Sequence, residues 1–160
     1  MRRQFIARPL DPGSADRAFA VARNAVLGLS LAEWRRFLEE SARGRTGGGG
    51  VLAVQNRLGI IQGLCRYAFE PTLGRGRVCT AEVLVALDLV DEVPVVLALI
   101  QGLEDLARRK GATALRSRLA QDAPLNARLL ALLAEKGHRV DDIALIKKLG
   151  LASHFDCFPT

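Results

Sequence analysis

Aromatic residues make up only 5% of this 160-residue chain, and they are not interleaved with its arginines. Such a chain lacks the stacking platforms on which bases lie, so nucleic acid is not an expected partner. Cysteine is scarce as well. Cys65, Cys79 and Cys157 are odd in number and irregular in spacing, which argues against a disulfide framework and fits a reducing cytoplasm. No apolar run approaches the roughly 18 residues of a membrane span, so no membrane is expected. The opening stretch, MRRQFIARPLDPGSADR, has basic residues but no apolar segment with a cleavage site behind it, and export is not expected. The tail LASHFDCFPT brings His154, Asp156 and Cys157 close in sequence. With two histidines in the whole chain they cannot complete a closed zinc site, and no metal is expected.

What is present is a globular composition, with 49% hydrophobic and 25% charged residues. A chain of this length is expected to form one domain, residues 1–160, with 151–160 as a C-terminal tail. Phe155 and Phe158 suit that tail to docking on the body or on a second copy, which would make a homodimer. The net charge of +6 attracts anions.

Apolar spacing and turn residues set out the elements. Gln4–Pro9 reads as a strand. Ser14 stands where it can cap a helix over Ala15–Leu27, and Ser30 with Glu33 forms a capping box for a second helix ending near Gly44. The run RTGGGG, Arg45–Gly50, reads as a connector, because four glycines lose too much entropy in a packed element. It is no phosphate cradle, since a strand and not a helix follows it. Val51–Gln55 and Ile60–Phe69 form a hairpin about Asn56–Gly59, and Gly74 and Gly76 turn the chain into a long apolar strand, Val78–Val90. A helix follows to Gly111, then a strand over Ala112–Leu119, a helix opened by Pro124 and stopped by Gly137, and one or two short strands over His138–Leu149. The fold class is α/β of mixed α+β type. It has a mostly antiparallel sheet of six to seven strands, a central parallel pair, and about four helices on both faces.

That order, with LEDLARRKGA and NARLLALLAEKGHR, resembles the GNAT superfamily of acetyl-CoA-dependent N-acetyltransferases. The resemblance spans essentially the whole chain in topology and is strongest over residues 78–149. It implies that Val78–Val90 is the central fourth strand and that the helix after it holds the CoA pyrophosphate. It also implies that Ala112–Leu119 splays from that strand to admit the pantetheine arm. Asp88, Leu89, Val90, Val95, Val96 and Asn126 are the cofactor-binding positions it implies, with acetyl-CoA or another acyl-CoA as cosubstrate. The pyrophosphate loop of such enzymes falls on Asp91–Val96, where Pro94 and Val96 take the glycine positions and no arginine is present. Their usual tyrosine falls on Leu133, and the sequence GHRVDDIALIKKL leaves little room for their acceptor loop.

The missing glycines have a physical meaning. Pro94 offers no N–H, and Asp91 and Glu92 occupy the place a phosphate would use at a helix start. Against a phosphate about 8 Å away, each carboxylate would cost about 2 kcal/mol in a surface-like dielectric. The helix is therefore expected to be capped by its own protein. Arg116, Arg118 and Arg128 are either phosphate contacts from neighbouring elements or solvated surface arginines.

Glu82 interrupts an apolar strand. It is either a general base that deprotonates the acceptor amine, as the resemblance implies, or a carboxylate paired with Arg66 or Arg77. Tyr67, the only tyrosine, is either a proton donor in place of the absent one or a core residue. Cys65 and Cys79 read as small core residues. The resulting expectation is an N-acyltransferase. An amine acceptor, small molecule or protein, attacks the thioester directly, with backbone N–H groups near Asp88–Val90 polarising the carbonyl. The alternative is a GNAT-fold binding or regulatory module without catalysis.

Overall fold

The computed structural model describes residues 5–43, 48–86, 91–119, 126–141, 145 and 147. The chain divides into two compact units, Met1–Ala123 and Pro124–Thr160. The first holds a five-stranded sheet of order β1-β2-β3-β4-β5. Its elements are β1 (Ile6–Pro9), α1 (Ala15–Ala25), α2 (Leu31–Ala42), β2 (Gly49–Gln55), β3 (Ile61–Thr72), β4 (Gly76–Ala86), α3 (Val93–Arg109) and β5 (Ala114–Arg118). Neighbouring strands are antiparallel except β4 and β5, which are parallel across α3. The second unit contains α4 (Asn126–Glu135), whose Leu129 and Leu133 are buried and which ends at Gly137 with φ of 86°.

The sheet alternates between two cores, as a period of two requires. Val51, Ala53, Ile61 and Leu64 are buried with Ala18, Val21 and Ala22 of α1 and Trp34 of α2. The neighbouring residues Leu52 and Val54 point the other way and are at most 1% exposed. There α3 covers them with a stripe of Val95, Val96, Leu99, Ile100, Leu103, Leu106 and Ala107, all buried. Gly102 lies in this helix because β1 and β2 come so close. A Cβ there would stand 2.5 Å from the Ala7 Cβ and 3.1 Å from Leu52 Cδ2. Helices thus lie on both faces of the sheet, as expected.

The capping box forms as read. Glu33 N–H donates to Ser30 Oγ at 3.1 Å, and Ser30 N–H donates to Glu33 Oε2 at 2.8 Å. Trp34, one residue on, ties the two helices together, its ring N–H donating to the Ala15 carbonyl at 2.8 Å.

Four expectations need correction. The described sheet has five strands and not six to seven. His138–Asp141 forms no strand, and most of residues 142–149 lies outside the described residues. Ser14 is at the N-cap position of α1, but its hydroxyl makes no cap bond. A 3-10 turn over Pro12–Ser14 leads into the helix and gives Ser14 φ of −100° and ψ of 6°, far from the extended shape a cap needs. Gly49 and Gly50 are not connector but the first two residues of β2, paired with Ala68 and Tyr67. A Cβ on Gly49 would stand 3.0 Å from the Ser41 and Tyr67 carbonyl oxygens, so the strand enters through a gap that only glycine fits.

Candidate active site

The parallel ladder between β4 and β5 is short. It runs from Val78 opposite Ala114 to Glu82 opposite Arg118, where β5 ends. β4 continues to Ala86, hydrogen-bonded to β3 alone among the described residues. Within that extension the register jumps: Cys65 faces Val83 and Leu64 faces Val85, so Leu84 is an extra residue on β4. A bulge of this kind bends its strand and strengthens the twist. Beyond Glu82 no described residue of β5 pairs with β4. The resemblance implies a splay of the two strands at this place.

Glu82 sits on the last rung of that ladder. Its carboxylate lies 3.6 Å from Arg66 Nη1 and 3.9 Å from Arg118 Nη1, on the two flanking strands. Both separations are too long for hydrogen bonds, and all three side chains are more than a third exposed. Such contacts bias the carboxylate's position without saturating its lone pairs. Arg66, Glu82 and Arg118 form one cross-strand rung, and the next rung on the same face holds Ala68, Thr80 and Arg116. Thr80 is buried, and its hydroxyl has no partner among the described residues. A buried hydroxyl without a partner costs about 1–3 kcal/mol, which a ligand's polar group would recover.

Tyr67 is on the opposite face. It is 8% exposed, edge-on to Phe69 with ring centroids 6.0 Å apart, and burial pushes its phenol above the usual value. Its hydroxyl lies across Gly50, where a Cβ would be 3.0 Å away. The structure therefore separates the two catalytic candidates. Arg77, the other partner considered for Glu82, lies 4.8 Å above the Phe69 ring instead.

The thiols are core groups. Cys65 and Cys79 are free and fully buried, and Cys65 Sγ donates to the Glu82 carbonyl at 3.0 Å. Burial pushes both thiols up, that of Cys79 to about 11, so neither is a thiolate near neutrality.

The start of α3 is closed. Val93 N–H donates to Asp91 Oδ1 at 3.1 Å, Pro94 has no N–H, and Val95 and Val96 both donate to the Glu92 carbonyl, at 3.1 and 3.0 Å. The side chains of Val95 and Val96 are core residues, 0% and 1% exposed. Their expected role as cofactor contacts thus finds no support in either backbone or side chain. Asp88, Leu89 and Val90 lie outside the described residues, as do His154, Asp156 and Cys157 of the tail. Asn126 is the first residue of α4, in the second unit. The Val93, Pro94, Val95 and Val96 positions thus offer no free N–H to a CoA pyrophosphate.

Solved structures share this order of strands and helices. The chain has the GNAT fold. An aminoglycoside N-acetyltransferase in complex with CoA superposes with a TM-score of 0.72 at 12% identity, covering 93% of this chain and 97% of that one. A ribosomal-protein-alanine N-acetyltransferase from Brucella melitensis gives 0.72 at 16% identity over 91% and 99%. Glucosamine-6-phosphate N-acetyltransferase from Arabidopsis thaliana gives 0.67 at 17% identity over the same shares. No family model and no curated protein sequence matches the chain. The GNAT likeness is thus one of fold, carried by topology at low identity.

The bulge at Leu84 and the unpartnered Thr80 hydroxyl are the features that sequence reasoning missed. Neither has a signal in residue order, because both depend on which strands pair and in what register.

Proposed function

We propose that this protein is a GNAT-fold N-acyltransferase that moves an acyl group from a pantetheine thioester of the acyl-CoA type to an amine. The single observation that carries the reading is the end of the β4–β5 ladder at the Glu82–Arg118 rung while β4 runs on to Ala86, with a carboxylate on that last rung. The thioester supplies an activated acyl carbon and a thiolate leaving group. The chain supplies the rest. Beyond that rung β4 offers backbone N–H and carbonyl groups to an extended arm, as a sheet edge does to any extended partner. Glu82 accepts the proton of the attacking amine as the C–N bond forms and the C–S bond breaks. Arg66 and Arg118 hold that carboxylate from both sides, and the Thr80 hydroxyl is a further polar contact on the acceptor's face. Two of the three neighbours above are named for small-molecule amine acceptors, and a small amine is the acceptor we favour here.

The closed start of α3 and the buried Tyr67 favour a second reading, a GNAT-fold module that binds without catalysis. Incubation with a short acyl thioester and a panel of amines, followed by mass spectrometry of the products, separates the two. Acylated product that is saturable in amine and strongly reduced by Glu82→Gln supports transfer. No product from any amine sinks it in favour of the binding module.

A further inference from the structure

We infer that the acyl donor of this site is a pantetheine thioester without a nucleotide diphosphate, and that Asp91 and Pro94 select against CoA itself. This deepens, and rests on, the acyltransfer reading above. In a strand–helix–strand unit, a ligand lies beyond the carboxyl end of the first strand, and its phosphate goes to the free N–H groups of the following helix. Here β4 is that strand and α3 is that helix. Three donors of the first turn are already used: Val93 by the Asp91 side chain, Val95 and Val96 by the Glu92 carbonyl. Pro94 has none to offer.

The electrostatics point the same way. A helix start attracts anions with about half a positive charge. Asp91 places a full negative charge there, bonded to the chain itself. Glu92, at the N-cap, adds a second carboxylate that makes no cap bond of its own. A diphosphate arriving at this point meets two carboxylates and no free N–H on Val93, Pro94, Val95 or Val96, whereas the uncharged part of the arm meets a stretch of β4 that no described residue of β5 pairs. The donor set thus accepts the arm and rejects the nucleotide end. The shared chemistry is an acylated pantetheine arm, either as a free thioester or carried through a single phosphodiester on a carrier protein. An acidic carrier would also suit a chain of net charge +6.

Calorimetric or NMR titration of the full chain with S-acetylpantetheine and with acetyl-CoA tests this. Acetyl-CoA is expected to bind no more tightly than S-acetylpantetheine. In the double variant Asp91→Asn/Pro94→Gly, one charge is removed and one N–H restored, so acetyl-CoA should gain tenfold or more while S-acetylpantetheine stays within twofold. Acetyl-CoA binding tenfold tighter in the unaltered chain would overturn the inference and leave the acyltransfer reading intact. An unchanged acetyl-CoA affinity in the double variant would overturn the assignment to Asp91 and Pro94. If neither thioester binds at millimolar concentration, the acyltransfer reading itself fails and takes the inference with it. A third titration, with an acetylated phosphopantetheinyl carrier protein, separates the sources. Tighter binding than S-acetylpantetheine supports a carried arm, and equal or weaker binding supports the free one.

Discussion

Glu82 and Arg118 face each other on the last rung of the parallel ladder, with Arg118 Nη1 3.9 Å from Glu82 Oε1. Because β5 ends there and β4 does not, the one carboxylate on this part of β4 stands where their ladder stops. Its position has little to do with stability. An ion pair this long between side chains this exposed contributes well under about 1 kcal/mol.

Glu82→Gln should therefore separate function from folding. Acyl transfer should fall by about 10²–10⁴-fold, the usual share of a general base, while stability moves by less than about 0.5 kcal/mol. Product formation by mass spectrometry and urea unfolding of the same preparation check the two halves. A variant that unfolds more easily in proportion to its lost activity would show Glu82 to be structural.

Tyr67 should behave as a packing residue. Gly50→Ala puts a methyl group 3.0 Å from the Tyr67 hydroxyl and 3.3 Å from its ring carbon, and overpacking of this kind costs about 1–3 kcal/mol. Tyr67→Phe removes the nearer of those contacts, so the double variant should recover part of the loss. A double-mutant cycle in urea should show coupling of about 0.5 kcal/mol or more. Acyl transfer by Tyr67→Phe alone should stay within about threefold of the parent, and a hundredfold drop would restore the phenol as a proton donor.

Gly102→Ala should destabilise the protein although alanine is the better helix former. The helix-propensity gain is about 1 kcal/mol, but the new Cβ would stand 2.5 Å from the Ala7 Cβ, so α3 must lift from β1 and β2. A net loss of about 1–3 kcal/mol is expected, measured as a lower midpoint in urea. A stabilised variant would mean that α3 does not pack on β1 this closely.

The buried thiols predict a loss of stability in alkali. Their ordinary value is 9.0, and the folded state holds Cys65 well above it and Cys79 at about 11. A pKa raised on folding stabilises fully below the unfolded value and is lost as pH rises toward the folded one. Stability should thus hold up to about pH 9 and then fall by at most about 1.4 kcal/mol per pH unit for each thiol. Unfolding at a series of pH values, with Cys65→Ala and Cys79→Ala as flattened controls, measures this slope. Modification of the native protein by iodoacetamide should be slow at both positions at neutral pH.

Much of the fold was legible because it is local. The capping box of Ser30 and Glu33 spans three residues, and the closure of α3 by Asp91 spans two. The apolar stripe of α3 and its stop at Gly111, with φ of 71°, repeat within a few turns of one helix. Interactions of this range depend only on neighbours in the chain, so residue order alone determined them. The alternation of Val51 to Val54 between two cores was legible for the same reason, since the pleat puts successive side chains on opposite faces.

The site was decided elsewhere. A strand's register depends on partners tens of residues away, and one extra residue exchanges the faces of everything beyond it. Only the paired sheet could put Leu84 in a bulge, end the ladder at Arg118, and turn Tyr67 away from Glu82. The same pairing drew Gly49 and Gly50 out of a flexible-looking run into β2, where the close approach of Ser41 and Tyr67 leaves room for nothing larger. Local sequence capped the start of α3 with its own Asp91, and long-range pairing set where the β4–β5 ladder stops.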